Sequence, residues 1–191
     1  MNAGDADLAE HSGSSRHIAP PGYPELMPPR NTPRLHLREM TDDDLDEMAA
    51  LLGDPRVMEY YPHPKDRTEA AEWIRWSRRS YAEHGFGLWL VETRTGEFIG
   101  DCGLTWQTVN GIPHLEVGYH VKAAAQGKGF ATEAARACVD HARDLAVSPV
   151  LVAVIHHDNR PSQRVAEKLG MHRNPDLRHK SPVHDVFSLD L

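Results

Sequence analysis

The sequence predicts an α+β fold: a mixed, mostly antiparallel sheet flanked by helices, not a doubly wound parallel one. Three observations carry this. The apolar periodicity switches along the chain in the order strand, two helices, three strands in a row, helix, strand, helix, strand. The three consecutive strands are separated only by "RTG" and by "TVNGIP", and Asn-Gly between alternating segments is a strong hairpin signal. Finally, "VKAAAQGKGFATEA" leads from a strand through glycines into a helix and on to another strand. Those two strands can lie parallel and adjacent. If they splay, a helix N-terminus at their base makes a cofactor slot.

Residues 1–33 are rich in Pro, Gly, Ser and Ala, and "APPGYPELMPPRNTP" cannot sustain a helix or a sheet ladder. This reads as an N-terminal extension, with one domain over 34–191. Within that domain "RLHLREM" alternates as a short strand, with Leu35 and Leu37 on one face. "TDDDLDEMAALL" is a helix with Thr41 as N-cap, acidic residues in its first turn, and Leu45, Met48, Ala49 and Leu52 on one side. "DRTEAAEWIRWSRRSYAEHG" is a second helix, with Asp66 and Glu69 as a capping-box pair and Gly85 as the stop.

"GLWLVET", "EFIGDCGLTWQ" and "HLEVGYHV" form the meander. The helix after Gly129 places Ala131, Ala134, Ala135, Cys138, Ala142 and Leu145 on one face. "PVLVAVI" is a buried strand, "RPSQRVAEKLG" a short helix, and "HDVFSLDL" a closing strand.

Composition narrows the function. The chain has 191 residues, a formal net charge of -7 and a 40% hydrophobic share, enough for one substantial core. The acidic balance argues against nucleic acid as a direct partner and suits a cationic or amine substrate. No apolar run is long enough for a membrane span, and the N-terminus lacks the regions of a signal peptide. Cys102 and Cys138 read as free thiols in a reducing compartment. A cytoplasmic protein is expected.

The glycine stretch reads as an anion site. A first helical turn leaves about four N–H groups unpaired and carries roughly half a positive charge, and glycine lets a diphosphate approach them. The Walker pattern fails, because its hydroxyl position falls on Gly129 and its first glycine position on Lys122. The dinucleotide fingerprint fails as well, with Thr132 at its third glycine position.

Gln/Arg-x-x-Gly-x-Gly/Ala does match, through Gln126, Gly129 and Ala131. Here the chain resembles the GNAT superfamily of acetyl-CoA-dependent N-acetyltransferases, in the branch that contains ribosomal-protein N-terminal acetyltransferases. A second block, "VIHHDNRPSQRVAEKLGM", resembles that family's downstream strand and helix, with Asn159, Ser162 and Leu169-Gly170 in register. The resemblance covers about residues 33 to 191. It implies a GNAT-like sheet whose splayed central parallel strands form the CoA slot.

The resemblance implies site residues too. Backbone amides of Gln126, Gly127, Lys128, Gly129, Phe130 and Ala131 would hold the pyrophosphate of acetyl-CoA, the co-substrate. The main chain at His120 and Val121 would bond the pantetheine amides as a strand does. Asn159 and Ser162 would sit by the pantetheine arm and the departing thiolate, and Asn159 also suits a helix N-cap. Glu116 is the candidate base, acting directly or through water. Glu116 and Gly118 share a strand face, but alternation does not say whether it looks into the cleft.

Two departures stand out. Where many members carry a tyrosine that protonates the thiolate, this chain has Ala166, and Ser162 becomes the fallback donor. His120 stands where a tryptophan is frequent, so a histidine could share base duty. For the acceptor, Glu59, Tyr60 and Tyr61 in "VMEYYPHP" and Trp73 and Trp76 are pocket candidates, with core packing as the competing role.

Among thirteen histidines, His156-x-Asp158 with His179 or His184 could make a non-haem iron site. The long helices argue against the double-sheet barrel such oxygenases often use, and the reading taken is no metal. The expected activity is acetyl transfer to a primary amine, a protein N-terminal α-amine first and an aminoglycoside or polyamine second. A CoA-binding module without catalysis is the third reading. Three uses of the extension stay open: regulation, covering the active site, or helping a homodimer form.

Overall fold

The computed structural model describes residues 28–191. The extension expected over residues 1–33 lies outside the described residues up to residue 27. In chain order the elements are β1 (Leu35–Arg38), α1 (Leu45–Leu52), α2 (Arg67–His84), β2 (Leu88–Thr93), β3 (Phe98–Val109), β4 (Ile112–Val121), α3 (Phe130–Leu145), β5 (Val150–His156), α4 (Arg160–Lys168), β6 (His172–Arg173) and β7 (His184–Asp190). The strands make one seven-stranded sheet in the order β1-β2-β3-β4-β5-β7-β6. Every pairing is antiparallel except β4 with β5.

The alternation of β4 sorts its side chains onto two faces. Leu115, Val117 and Tyr119 pack with Ala134, Ala135, Cys138 and Ala142 of α3 in the larger core. Small residues along α3 let the helix lie close to the sheet. Glu116, Gly118 and His120 therefore take the opposite face. There α1 and α2 bury Met48, Leu52, Trp73 and Ile74 against Leu88, Leu90 and Phe98.

The caps read in the sequence form as expected around α2. Asp66 accepts from the Glu69 N–H, Glu69 accepts from the Asp66 N–H, and Gly85 closes the helix in the left-handed region. The first helix differs. Asp42–Asp44 is a 3-10 turn, and the α-helix starts only at Leu45. Asp44 causes this: its carboxylate accepts from the Thr41 N–H at 2.7 Å and from Arg38 Nη2 at 2.6 Å, which tightens the turn against β1. The two-residue strand β6 is also new, since two residues carry no readable period. Cys102 and Cys138, distant in sequence, meet in the core as free thiols with their sulfurs 3.6 Å apart, and burial pushes the Cys102 thiol up.

Close approach of β2 and β3 depends on Gly103, where an added Cβ would lie 1.9 Å from the Gly87 carbonyl oxygen. Backbone cannot step aside as a side chain can. Gly103→Ala is expected to destabilise by about 2–3 kcal/mol, or about 5–10 °C in Tm. A melting curve matching wild type would show that the strands part at little cost.

Candidate active site

The parallel ladder between β4 and β5 is short. It pairs Leu115 with Leu151 and Glu116 with Val152 and then ends, while β5 stays paired with β7 from Val150 to His156. The two central strands thus part beyond residue 116. At the root of the gap the Val154 N–H donates to Glu116 Oε1 at 3.2 Å. The hydroxyl of Thr105 donates to Glu116 Oε2 at 3.3 Å. Glu116 is 0% exposed. Burial outweighs these donors and pushes its carboxyl up to about 8.

At the other end of the gap β4 runs through a 3-10 turn, Ala123–Ala125, into the glycine loop. The Gln126 side-chain amide donates to the Val121 carbonyl at 3.1 Å and so ties the loop to the strand end. Gly127 and Gly129 have φ of 75° and 83°, a region L side chains rarely enter. A Cβ on Gly127 would meet nothing within 4 Å, and one on Gly129 only Arg34 Nη2 at 3.4 Å. The space a side chain would fill is open to a ligand, in front of the N–H groups that start α3. A diphosphate fits this cradle. Lys128 is exposed, and its carbonyl accepts from Arg34 Nη1 at 3.0 Å.

The main chain of β4 faces both neighbours in turn. The His120 N–H points to β3 and donates to Asp101 Oδ1 at 3.1 Å. Because N–H and C=O groups alternate in direction along a strand, Val117, Tyr119 and Val121 turn theirs toward the gap. Val121 is thus well placed, though its carbonyl already takes one hydrogen bond from Gln126.

Across the gap, Asn159 caps α4 by accepting from the Ser162 N–H at 3.1 Å. The Ser162 hydroxyl donates to Tyr119 Oη at 2.9 Å, and the Tyr119 hydroxyl donates to the Ser162 carbonyl at 3.0 Å. Ala166 is buried and brings no hydroxyl. Burial raises the Tyr119 phenol above its ordinary value, so it keeps its proton. The sequence reading missed Tyr119, since in an alternating strand it is indistinguishable from a core residue.

A second polar network was also missed. Asp101 is buried on β3 beneath His120. Trp73 Nε1 donates to Asp101 Oδ2 at 3.0 Å, and His120 Nδ1 stands 2.6 Å from Asp101 Oδ1. A carboxylate only accepts, so Nδ1 donates to Asp101. The Tyr61 hydroxyl is hydrogen-bonded to the other ring nitrogen, Nε2, at 2.6 Å. Trp73 is thus core and network member at once.

Tyr61 and its neighbour Tyr60 lie on the segment joining α1 to α2. The Tyr60 hydroxyl donates to the Asp158 carbonyl at 3.4 Å, and its ring lies 5.2 Å from that of His156. One tyrosine therefore touches the end of β4 and the other the end of β5. The segment spans the mouth of the gap, and Glu59 and Asp158 are exposed there.

His156, His157 and Asp158 place their ligand atoms within 4.8 Å of one another. His156 Nδ1 already accepts from the Asp158 N–H at 3.2 Å, which leaves its proton on Nε2. One open sheet with flanking helices is also not the double-sheet barrel of the oxygenase alternative. A groove of about 1340 Å³ between residues 28–37 and α3 is lined by neither Glu116 nor His120, so it is not the transfer site. Among the described residues no helix is long and apolar enough to cross a membrane.

A central parallel pair that parts above a glycine-lined helix start, with a buried carboxyl at its root, has the shape an acyltransferase would need for a thioester co-substrate. The chain belongs to the GNAT acetyltransferases: the family described as Acetyltransferase (GNAT) domain matches residues 34–172. Acetyl-CoA is accordingly its co-substrate. The uncharacterized protein YkkB of Bacillus subtilis is 40% identical over 149 residues, which is 77% of this chain and 87% of YkkB. An acetyltransferase from Agrobacterium tumefaciens superposes with a TM-score of 0.78 at 26% identity, covering 86% of this chain and 95% of that one. RimL, a ribosomal L7/L12 alpha-N-protein acetyltransferase solved with coenzyme A, shares the fold with a TM-score of 0.68 at 13% identity, covering 85% and 97%.

Proposed function

We propose that this chain moves the acetyl group of acetyl-CoA directly to a primary amine in the cytoplasm, with a protein N-terminal α-amine as the favoured acceptor. Residues 34–191 act as the acetyltransferase domain and residues 1–33 as an extension. The observation that carries this reading is Glu116, a fully buried carboxyl at the root of the splay with its proton affinity raised to about 8. Such a group releases and regains a proton near neutral pH, as a base for an amine must.

The pyrophosphate rests on the amides of Gln126 through Ala131, and the pantetheine amides bond the gap-facing main chain of Val121 and Tyr119. The amine nitrogen bonds to the carbonyl carbon, and Glu116 draws a proton from it, directly or through water. Ser162, coupled to Tyr119, stabilises the departing thiolate by hydrogen bonding, with Asn159 fixing the start of α4. The acceptor reaches the thioester past Tyr60 and Tyr61.

Free-energy cost favours the α-amine. Deprotonating an α-ammonium near pKa 8 costs about 1.4 kcal/mol at pH 7, and a lysine-type ammonium near 10.4 costs about 4–5 kcal/mol. The name of RimL points the same way. A small-molecule amine is the second reading, favoured by the net charge of -7 and by exposed Glu59 and Asp158 at the mouth. Free-thiol release from acetyl-CoA across N-terminal peptides, polyamines and aminoglycosides tests both. N-terminal peptides are expected to respond most strongly at pH 7. Response confined to polyamines or aminoglycosides would reverse the acceptor assignment, and silence with acetyl-CoA bound would favour a non-catalytic CoA-binding module.

A further inference from the structure

A diphosphate brings about two negative charges to the glycine loop, and a helix start answers with roughly half a positive charge. The loop also has a charge of the wrong sign beside it. Glu133 lies in the first turn of α3, where a bare carboxylate would repel a phosphate. The cradle therefore calls for a cation. Lys128 is exposed, and an ammonium on a flexible stem loses rotamer freedom when it settles on a ligand.

A better-placed cation comes from 99 positions before Glu133. Arg34 stands just ahead of β1, and its guanidinium is fixed from three sides. Nε donates to Glu133 Oε2 at 2.6 Å, and Nη1 donates to the Lys128 carbonyl at 3.0 Å. The guanidinium carbon lies 4.6 Å from the centre of the Phe130 ring. The backbone N–H of Arg34 also donates to Glu133 Oε1 at 3.0 Å, and the Thr32 hydroxyl donates to the same oxygen at 2.5 Å. A guanidinium has five N–H groups, and those on Nη2 meet no acceptor among the described residues. Nη2 lies 3.4 Å from where a Cβ on Gly129 would stand. An N–H···O bond spans about 2.7–3.2 Å, so an oxygen in that space reaches Nη2 with little adjustment.

We propose that Arg34 is a diphosphate-binding residue of the acetyl-CoA site, with Nη2 donating to a pyrophosphate oxygen held by the glycine loop. This rests on the acetyltransferase reading above, in which that loop holds the diphosphate. Two tasks then fall to one side chain. Arg34 covers the Glu133 carboxylate that would repel the ligand, and it adds a charge-assisted hydrogen bond of its own. Its partners hold the guanidinium before the ligand arrives, so little side-chain freedom is left to lose on binding. The side chain is about half exposed, which leaves it open to the ligand and also moderates the strength of the bond.

Arg34→Gln tests this with three ligands. Acetyl-CoA carries the diphosphate and a 3′-phosphate, acetyl-dephospho-CoA carries the diphosphate alone, and S-acetylpantetheine carries neither. Calorimetry reads the first two and an NMR titration the third. The variant is expected to bind acetyl-CoA and acetyl-dephospho-CoA about tenfold more weakly, and the difference is expected to shrink at high salt. Its affinity for S-acetylpantetheine is expected to match wild type. Thr32→Val removes the neighbouring bond to Glu133 but keeps the guanidinium, so its acetyl-CoA affinity is expected to stay near wild type. Unchanged acetyl-CoA affinity in Arg34→Gln would overturn the contact. So would an equal loss in Thr32→Val, or a loss that extends to S-acetylpantetheine, since either leaves only a structural tie. A loss seen with acetyl-CoA alone would place Arg34 on the 3′-phosphate and overturn the diphosphate assignment. Each of these results leaves the acetyltransferase reading intact. Wild-type protein that binds S-acetylpantetheine as tightly as acetyl-CoA would overturn the glycine-loop cradle itself, and Arg34 with it.

Discussion

Glu116→Gln is expected to lower turnover by about 10²–10³-fold at pH 8 and above, with acetyl-CoA binding unchanged. Glutamine is the mildest replacement for this site. Its carbonyl can still accept the Val154 N–H, and the Thr105 hydroxyl can turn to accept from its amide. What it cannot do is take a proton. Because the carboxyl titrates near 8, the wild-type group is mostly neutral at low pH and little better than glutamine there. The ratio of wild-type to variant rate therefore grows from pH 5 to about pH 8 and then levels. A constant ratio across the range would remove Glu116 as base.

The same residue makes stability depend on pH. In the folded chain the Glu116 carboxyl holds its proton up to about 8, whereas the ordinary value is 4.5. Between those limits the folded state binds more protons than the unfolded one, so stability falls as pH rises through that window. The loss is on the order of 5 kcal/mol when the carboxyl is fully ionised. Glu116→Gln lacks it. The variant is expected to melt above wild type at pH 8.5 and to converge with it near pH 4.5. Parallel melting temperatures at both pH values would mean that the carboxyl is not buried as described.

Gly129→Val is expected to weaken acetyl-CoA binding by about a hundredfold or more. Valine does not sustain a φ of 83°, and the left-handed region costs an L residue roughly 1–2 kcal/mol before any branching at Cβ. The loop must then refold, and the first N–H groups of α3 lose their common focus on the diphosphate. Gly127→Ala is the graded comparison. Its Cβ enters open space, so it disturbs the fold only through φ but stands where the ligand arrives. Calorimetry with acetyl-CoA reads both variants. A folded Gly129→Val protein with wild-type affinity would place the pyrophosphate elsewhere.

How far the sequence reached is clearest on β4. Its alternation separated Glu116 from Val117 and its neighbours, but could not say which face met a helix. That needed α3, whose alanine face covers Leu115, Val117 and Tyr119 and so turns Glu116 the other way. The glycine loop was legible because its chemistry is local: positive φ, absent Cβ and a helix start all lie within a few residues. Asn159 was legible as a cap for the same reason. His120 was noticed as an unusual residue, yet the side its N–H faces was not legible, because the direction of a strand N–H depends on which neighbour takes it.

Local signals in the chain determined the elements, the caps, the hairpin at Asn110-Gly111 and the glycine loop. Short-range sterics and the period of apolar residues act within a window of a few positions, and these features need nothing more. Tertiary structure decided which polar groups meet at the gap. The splay after residue 116 follows from β5 keeping to β7 while it leaves β4. Asp101, His120, Tyr61 and Trp73 come from β3, β4, the α1–α2 segment and α2, and no spacing in the sequence links them. A carboxyl becomes a base near neutral pH only when burial strips its water. Burial belongs to the packed chain as a whole.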